Sequence, residues 1–193
     1  MPIRLPRNPP IVEVPVTQAL WRVHRLAHDP LWFGPAPGHP PQGRFDAPSG
    51  KFGVCYFAAT PGVAILETLV RGLKVPIISR TVLSGRGLSA MSLREPLRML
   101  QLEGKGLASF GLSAHEISGP ELAECQDLAR RVHETLDEID GIQYRSRWDT
   151  SELCWAVFDR ARDRIGDVAG TQHLDNPAVV RPALLPYRHV SVS

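Results

Sequence analysis

The sequence predicts an α+β fold: a single compact domain in which helices flank a mainly antiparallel sheet. Two observations predict it. The chain has 193 residues, 43% hydrophobic and 22% charged, which suffices for one sizeable core and is too short for two. The segments that read as strands and helices do not alternate regularly, as a parallel doubly wound sheet would require, and no repeat or linker divides them. No run of about 18 apolar residues is present to cross a membrane. The opening MPIRLPRNPP has no apolar stretch after its charges and does not read as a secretion signal, so a cytoplasmic location is expected.

Taken in order, residues 1–17 form a proline-rich arm. Within it Ile11–Val16 suits an edge strand limited by Pro15. Gln18–Arg25 holds Leu20, Trp21 and Val23, which favour a strand that sets Arg22 and His24 on one face. Pro30–Gly50 is dense in proline and glycine and is expected to be irregular; a loop of this length is more often functional than idle. Trp32 and Phe33 either pin that loop to the core or stack on a ligand. A strand follows at Val54–Ala58, then a break at Thr60–Gly62 and a nearly all-apolar helix reaching Arg71. Val75–Leu83 reads as a strand, Gly85–Gly87 as a turn and Leu88–Leu93 as a short strand. Arg94–Leu102 is ambiguous, and Gly104–Ser113 reads as loop. Ser118–Ile139 reads as the clearest helix, with Ser118 as N-cap, Pro120 in the first turn and Glu121 completing a capping box. Strands are expected at Gly141–Tyr144 and Leu153–Asp159. The tail 168–193 should be loop with an edge strand, leaving a core of about 20–159.

Chemistry concentrates in Gly43–Arg71. Val63, Leu66, Glu67 and Val70 fall at i, i+3, i+4 and i+7, so Glu67 lies on an apolar helical stripe. A lone carboxylate there needs a partner or a chemical role. The bland alternative is an i,i+4 surface bridge to Arg71, worth about 0.3–0.5 kcal/mol. Arg22, Arg44 and Tyr56 lie upstream. Two arginines can grip phosphate oxygens, a tyrosine offers a flat face, and a glutamate can hold a ribose hydroxyl while stabilising an oxocarbenium-like transition state. No phosphate-binding glycine loop, dinucleotide fingerprint or Ser-His-Asp arrangement is present.

Other site classes fit less well. The net charge of +2 comes with no basic stripe, so direct nucleic-acid binding is not expected. Cys55, Cys125 and Cys154 form no CxxC pair and read as buried free thiols. His24 and His28 have helical metal-pair spacing but no obvious third ligand, so no metal is assigned.

LWRVHR, GRFD, VCYFAATPGVAILETLV and GIQYRS together resemble the RES domain, a family of bacterial toxins made beside an Xre-type helix-turn-helix antitoxin. The resemblance implies an ADP-ribosyltransferase-like fold with NAD⁺ as substrate and no further cofactor. It implies that Arg22 and Arg44 engage the phosphates or ribose, that Tyr56 stacks on nicotinamide, that Glu67 is the catalytic carboxylate and that Ser146 lines the pocket. His24, close to Arg22, is read either as a further polar contact or as a satisfied structural histidine. Related arginine-directed transferases carry a glutamate or glutamine two residues before the catalytic one. Here that position is Ile65, which favours water or phosphate as second substrate over an arginine acceptor. Transfer of ADP-ribose to another protein group is the alternative. A ribonuclease-type toxin and a non-enzymatic nucleotide-binding module are the rivals from other classes, and a homodimer is compatible with the sequence.

Overall fold

The computed structural model describes residues 3–36, 38–70 and 76–193. Its centre is an eight-stranded sheet in the order β1-β6-β7-β8-β3-β2-β5-β9. The strands are β1 (Ile11–Val14), β2 (Leu20–Arg25), β3 (Val54–Ala58), β5 (Arg86–Leu93), β6 (Leu97–Gln101), β7 (Gly141–Arg145), β8 (Leu153–Phe158) and β9 (Ile165–His173). Only β6 and β7 pair in parallel; every other neighbouring pair is antiparallel. The α+β, mainly antiparallel expectation therefore holds. A two-stranded parallel ribbon joins β4 (Ile77–Ile78) to β10 (Ser191–Val192). The helices are α1 (Pro61–Ile65), α2 (Arg80–Ser84), α3 (Gly104–Ser109), α4 (Ala114–Ser118), α5 (Ala123–Thr135) and α6 (Pro177–Leu184). No helix among the described residues is long and apolar enough to cross a membrane.

The sheet is covered on both faces, so its two central strands, β8 and β3, are apolar throughout. In β3, Val54, Tyr56 and Ala58 face a first core with Leu66 of the turn after α1, Leu128 and Val132 of α5, and Val180 and Leu184 of α6. Cys55 and Phe57 alternate onto a second core with Leu20, Met91, Met99 and Trp155. The three cysteines are buried and free, as expected. Between β2 and β3 a single register pair, Trp21 with Ala58, is made before the strands part. That split lies beside Arg22 and Tyr56, two of the expected site residues.

Several elements depart from the sequence reading for identifiable local reasons. The capping box belongs to α4. Ser113 Oγ accepts from the Glu116 amide at 3.4 Å, and Glu116 Oε2 accepts from the Ser113 amide at 2.7 Å. Ser118 is the last residue of that helix, because Pro120 disfavours helical geometry at Gly119. The long helix consequently starts at Ala123 and ends at Thr135. Ser79 caps α2 by accepting from the Thr81 amide at 3.2 Å, which ends the expected strand at Ile78; its expected start, Val75, lies outside the described residues. β5 begins at Arg86, inside the expected turn, and 104–113 contains α3 and the N-cap residue of α4, Ser113. α6 and most of β9 occupy what read as loop, while β10 at Ser191–Val192 supplies an edge strand in the tail. β9 is an outer strand whose exposed residues blur its alternation, and α6 begins at Pro177 with Asn176 Oδ1 accepting from the Ala178 amide at 3.0 Å.

Candidate functional site

Glu67 is positioned by a break in helical regularity. Thr60 caps α1 and Pro61 occupies its first turn, but Leu66–Val70 continues as a π-helical turn. Such a turn re-aims its side chains and is common at functional sites. Leu66, Leu69 and Val70 remain buried while Glu67 is half-buried and lines a cleft of about 680 Å³. The carboxylate is held from the turn after β7. Ser146 Oγ donates to Glu67 Oε1 at 2.6 Å, and the Arg147 amide donates to the same oxygen at 3.0 Å. Among the described residues Oε2 accepts no hydrogen bond. Arg71, the competing i+4 partner, lies outside the described residues.

The Ser146 hydroxyl is itself fixed. It is 1% exposed and accepts from the Trp148 and Asp149 amides at 3.1 and 3.3 Å. Asp149 Oδ2 accepts from the Tyr187 hydroxyl at 2.8 Å, which links the segment after α6 to the support of Glu67. Burial and this bond raise the Tyr187 pKa above the ordinary tyrosine range. Tyr187 also packs on Gly62 in α1, where an added methyl would run into the Ala183 carbonyl and the Tyr187 ring.

Tyr56 stands on β3 with its hydroxyl anchored. It donates to Asp46 Oδ1 at 2.8 Å and accepts from the Phe45 amide at 2.9 Å. Asp46 Oδ2 accepts from the Gln42 and Gly43 amides at 2.9 and 2.6 Å, so one carboxylate closes the loop around Arg44. A side chain at Gly43 would collide with both Tyr56 and Asp46. Tyr56 thereby offers its ring, rather than a free hydroxyl, to the cleft.

Arg44 donates through Nη1 to the Ile117 and Gly119 carbonyls and through Nη2 to the Ser118 carbonyl at 3.3 Å. Arg147 Nη2 reaches the Ser118 carbonyl at 3.2 Å, so both guanidiniums clasp the end of α4 while lining the cleft. Arg22 shares the strand parity of Leu20 and turns toward the second core, where Nη1 donates to the Trp32 carbonyl at 2.7 Å and to Cys55 Sγ. Burial pushes the Cys55 thiol up to about 11 despite Arg22. Arg22 also lines the cleft. His24 lines it too, with both ring nitrogens engaged. Nδ1 faces the Arg25 carbonyl at 3.0 Å and therefore carries the proton, so Nε2 accepts from Ser89 at 3.0 Å. Burial lowers its pKa, which favours the neutral ring.

Five of the six expected site residues thus line one cleft, and Ser146, expected to line it, lies behind it and is hydrogen-bonded to Glu67. The sequence reading did not assign Tyr144, Arg147, Arg25 or Arg86 to the site, although all four line it. Arg147 had a visible signal beside Ser146; the others depend on strand pairing. Trp32 is 43% exposed, lines the cleft and stacks on His28 with centroids 5.6 Å apart, whereas Phe33 packs on the second core. Phe33 thus takes the core-pinning role, while Trp32 stays on the cleft wall. Among the described residues no group of three or more His, Cys, Asp or Glu is placed to hold a metal ion.

The fold and cleft define an α+β protein with one carboxylate fixed beneath an arginine-rich pocket. The chain belongs to the RES domain family, whose sequence model matches residues 19–177. Its fold is similar to that of a chain in the crystal structure of the M. tuberculosis MbcT–MbcA toxin–antitoxin complex. The likeness has a TM-score of 0.68 at 16% identity and covers 90% of this chain and 91% of that one. Comparison with curated proteins found no significant match.

Proposed function

We propose that this chain is the toxin of a bacterial toxin–antitoxin pair and acts in the cytoplasm by cleaving the nicotinamide–ribose bond of NAD⁺. The observation that carries this reading is the Glu67 carboxylate. Ser146 and Arg147 fix Oε1, and Oε2 is left without a hydrogen bond among the described residues in a cleft lined by five arginines. In the proposed complex Oε2 accepts a hydroxyl of the nicotinamide ribose, and its charge stabilises the oxocarbenium-like transition state. Nicotinamide leaves from an already cationic ring, so no general acid is needed. The Tyr56 ring and Trp32 flank the nicotinamide end, and the remaining N–H groups of Arg22 and Arg44 bind toward the pyrophosphate.

Water or phosphate completes the reaction. Ile65, two residues before Glu67, is 0% exposed and cannot orient an arginine acceptor, which disfavours that form of ADP-ribosyl transfer. Membership of the RES family, and a fold similar to a chain of a toxin–antitoxin complex, support pairing with an antitoxin of the Xre-type helix-turn-helix class. That partner would cover the cleft. The test is release of nicotinamide from NAD⁺ by the antitoxin-free chain, with and without phosphate. Unchanged NAD⁺ under both conditions overturns the reading, and full activity of a co-purified complex overturns the cleft-blocking role.

A further inference from the structure

Arg22 and Arg44 spend donors on internal carbonyls, but two other cleft arginines do not. Arg25 on β2 and Arg86 on β5 are directly opposed register partners in an antiparallel pair. Among the described residues neither guanidinium forms a hydrogen bond or ion pair. Like charges directly opposite one another destabilise a sheet. Arg86 is half-buried, and burial followed by the neighbouring Arg25 charge lowers its pKa.

Strand parity sets this pair on the face of the sheet that carries Tyr56. Val23 and Leu88 are also opposed and face the first core, as Tyr56 does; Arg25 and Arg86 share their parity. Arg22 has the opposite parity and faces Cys55. The lining contains five arginines against two carboxylates, Asp29 and Glu67, although the whole chain carries only +2. Asp29 is occupied at one oxygen by the Leu31 amide at 2.7 Å.

We propose that Arg25 and Arg86 form a subsite for a dianionic phosphate at the end of the cleft defined by β2 and β5. Two adjacent unit charges match a phosphomonoester or orthophosphate better than a singly charged diester, and paired guanidiniums present convergent donors. The occupant is the 2′-phosphate of a phosphorylated dinucleotide or free orthophosphate, bound beside the dinucleotide. The subsite deepens the nucleotide reading of this cleft and rests on it for the second ligand only.

The test is calorimetric titration of the full Glu67→Gln chain with orthophosphate, NAD⁺ and NADP⁺, repeated after adding Arg25→Gln, Arg86→Gln or both. Orthophosphate should bind, each single substitution should weaken it by about tenfold, and the double substitution should abolish it. NADP⁺ binding about tenfold tighter than NAD⁺, with the gap closed by the double substitution, identifies the 2′-phosphate. Equal dinucleotide affinities with orthophosphate binding undiminished by NAD⁺ identify the free anion. Removing the opposed charges should leave thermal stability unchanged or higher, which separates lost binding from lost folding. Orthophosphate affinity and the NADP⁺/NAD⁺ ratio both unchanged in the double variant would overturn the subsite. Phosphate binding without NAD⁺ binding would instead overturn the NAD⁺ reading and leave the subsite standing.

Discussion

Ser146 Oγ lies 2.6 Å from Glu67 Oε1 and donates its proton there, joining the turn after β7 to the π-helical turn after α1. The two residues are far apart in sequence, and the hydroxyl is too deeply buried to meet a ligand. In the proposed reaction its effect therefore passes through Glu67.

Ser146→Ala removes a hydrogen bond to a charged acceptor and leaves two backbone amides without their acceptor. A bond of this kind contributes about 1.5–3 kcal/mol. The variant should lose roughly 10–100-fold in kcat for NAD⁺ cleavage with KM nearly constant. Steady-state kinetics at matched folded fraction checks this, and a rise in KM alone would make Ser146 a binding residue.

Tyr187→Phe breaks the bond to Asp149 without changing shape. The expected result is a small fall in kcat, about threefold to tenfold, for a loss of about 1 kcal/mol in support of the 146–149 turn. Hydrogen exchange should show weaker protection at Arg147 and Trp148 with the α5 amides unchanged. Uniformly weaker protection would mean the ring is merely part of the core.

Gly62→Ala forces a methyl against the Ala183 carbonyl and the Tyr187 ring. Backbone cannot yield as a flexible side chain can, so the cost should be about 1–3 kcal/mol. Chemical denaturation measures it directly, and an unchanged midpoint would contradict this packing.

Acid should weaken the fold before it reaches the carboxylate range. His24 and His133 both have pKa values lowered chiefly by burial. The unfolded chain therefore takes up protons first, and stability is full above about pH 6.5 and falls as pH drops through the lower folded values. Thermal unfolding between pH 7.5 and 5 tests the sign, and constant stability over that window would contradict it. At the alkaline end the Cys55 pKa of about 11 has the opposite consequence. The neutral thiol is favoured in the fold, so stability is lost as pH rises from the ordinary thiol range toward that value.

The constellation Arg22, Arg44, Tyr56 and Glu67 was legible because it sits in short motifs next to readable turns. What supports it was not. The π-helical turn breaks the 3.6-residue spacing used to place Glu67, and no local signal marks it. Ser118 and Glu121 mimic a cap that Pro120 makes unusable, while the real box, Ser113 and Glu116, begins at the last residue of a stretch that reads as loop. Tyr187 and the β9 residues come from a tail with little alternation, since β9 is largely exposed. Arg25 and Arg86 become neighbours only through β2–β5 register, which one sequence does not encode locally.

The central claim is that Glu67 supplies transition-state stabilisation rather than binding. The most direct measurement compares single-turnover NAD⁺ cleavage and NAD⁺ affinity for the wild-type chain and Glu67→Gln. The substitution keeps the size and one acceptor oxygen but removes the charge. The rate should fall on the order of 10³-fold while affinity changes by less than about threefold. A variant that cleaves NAD⁺ at the wild-type rate, or whose defect lies entirely in affinity, would contradict the account.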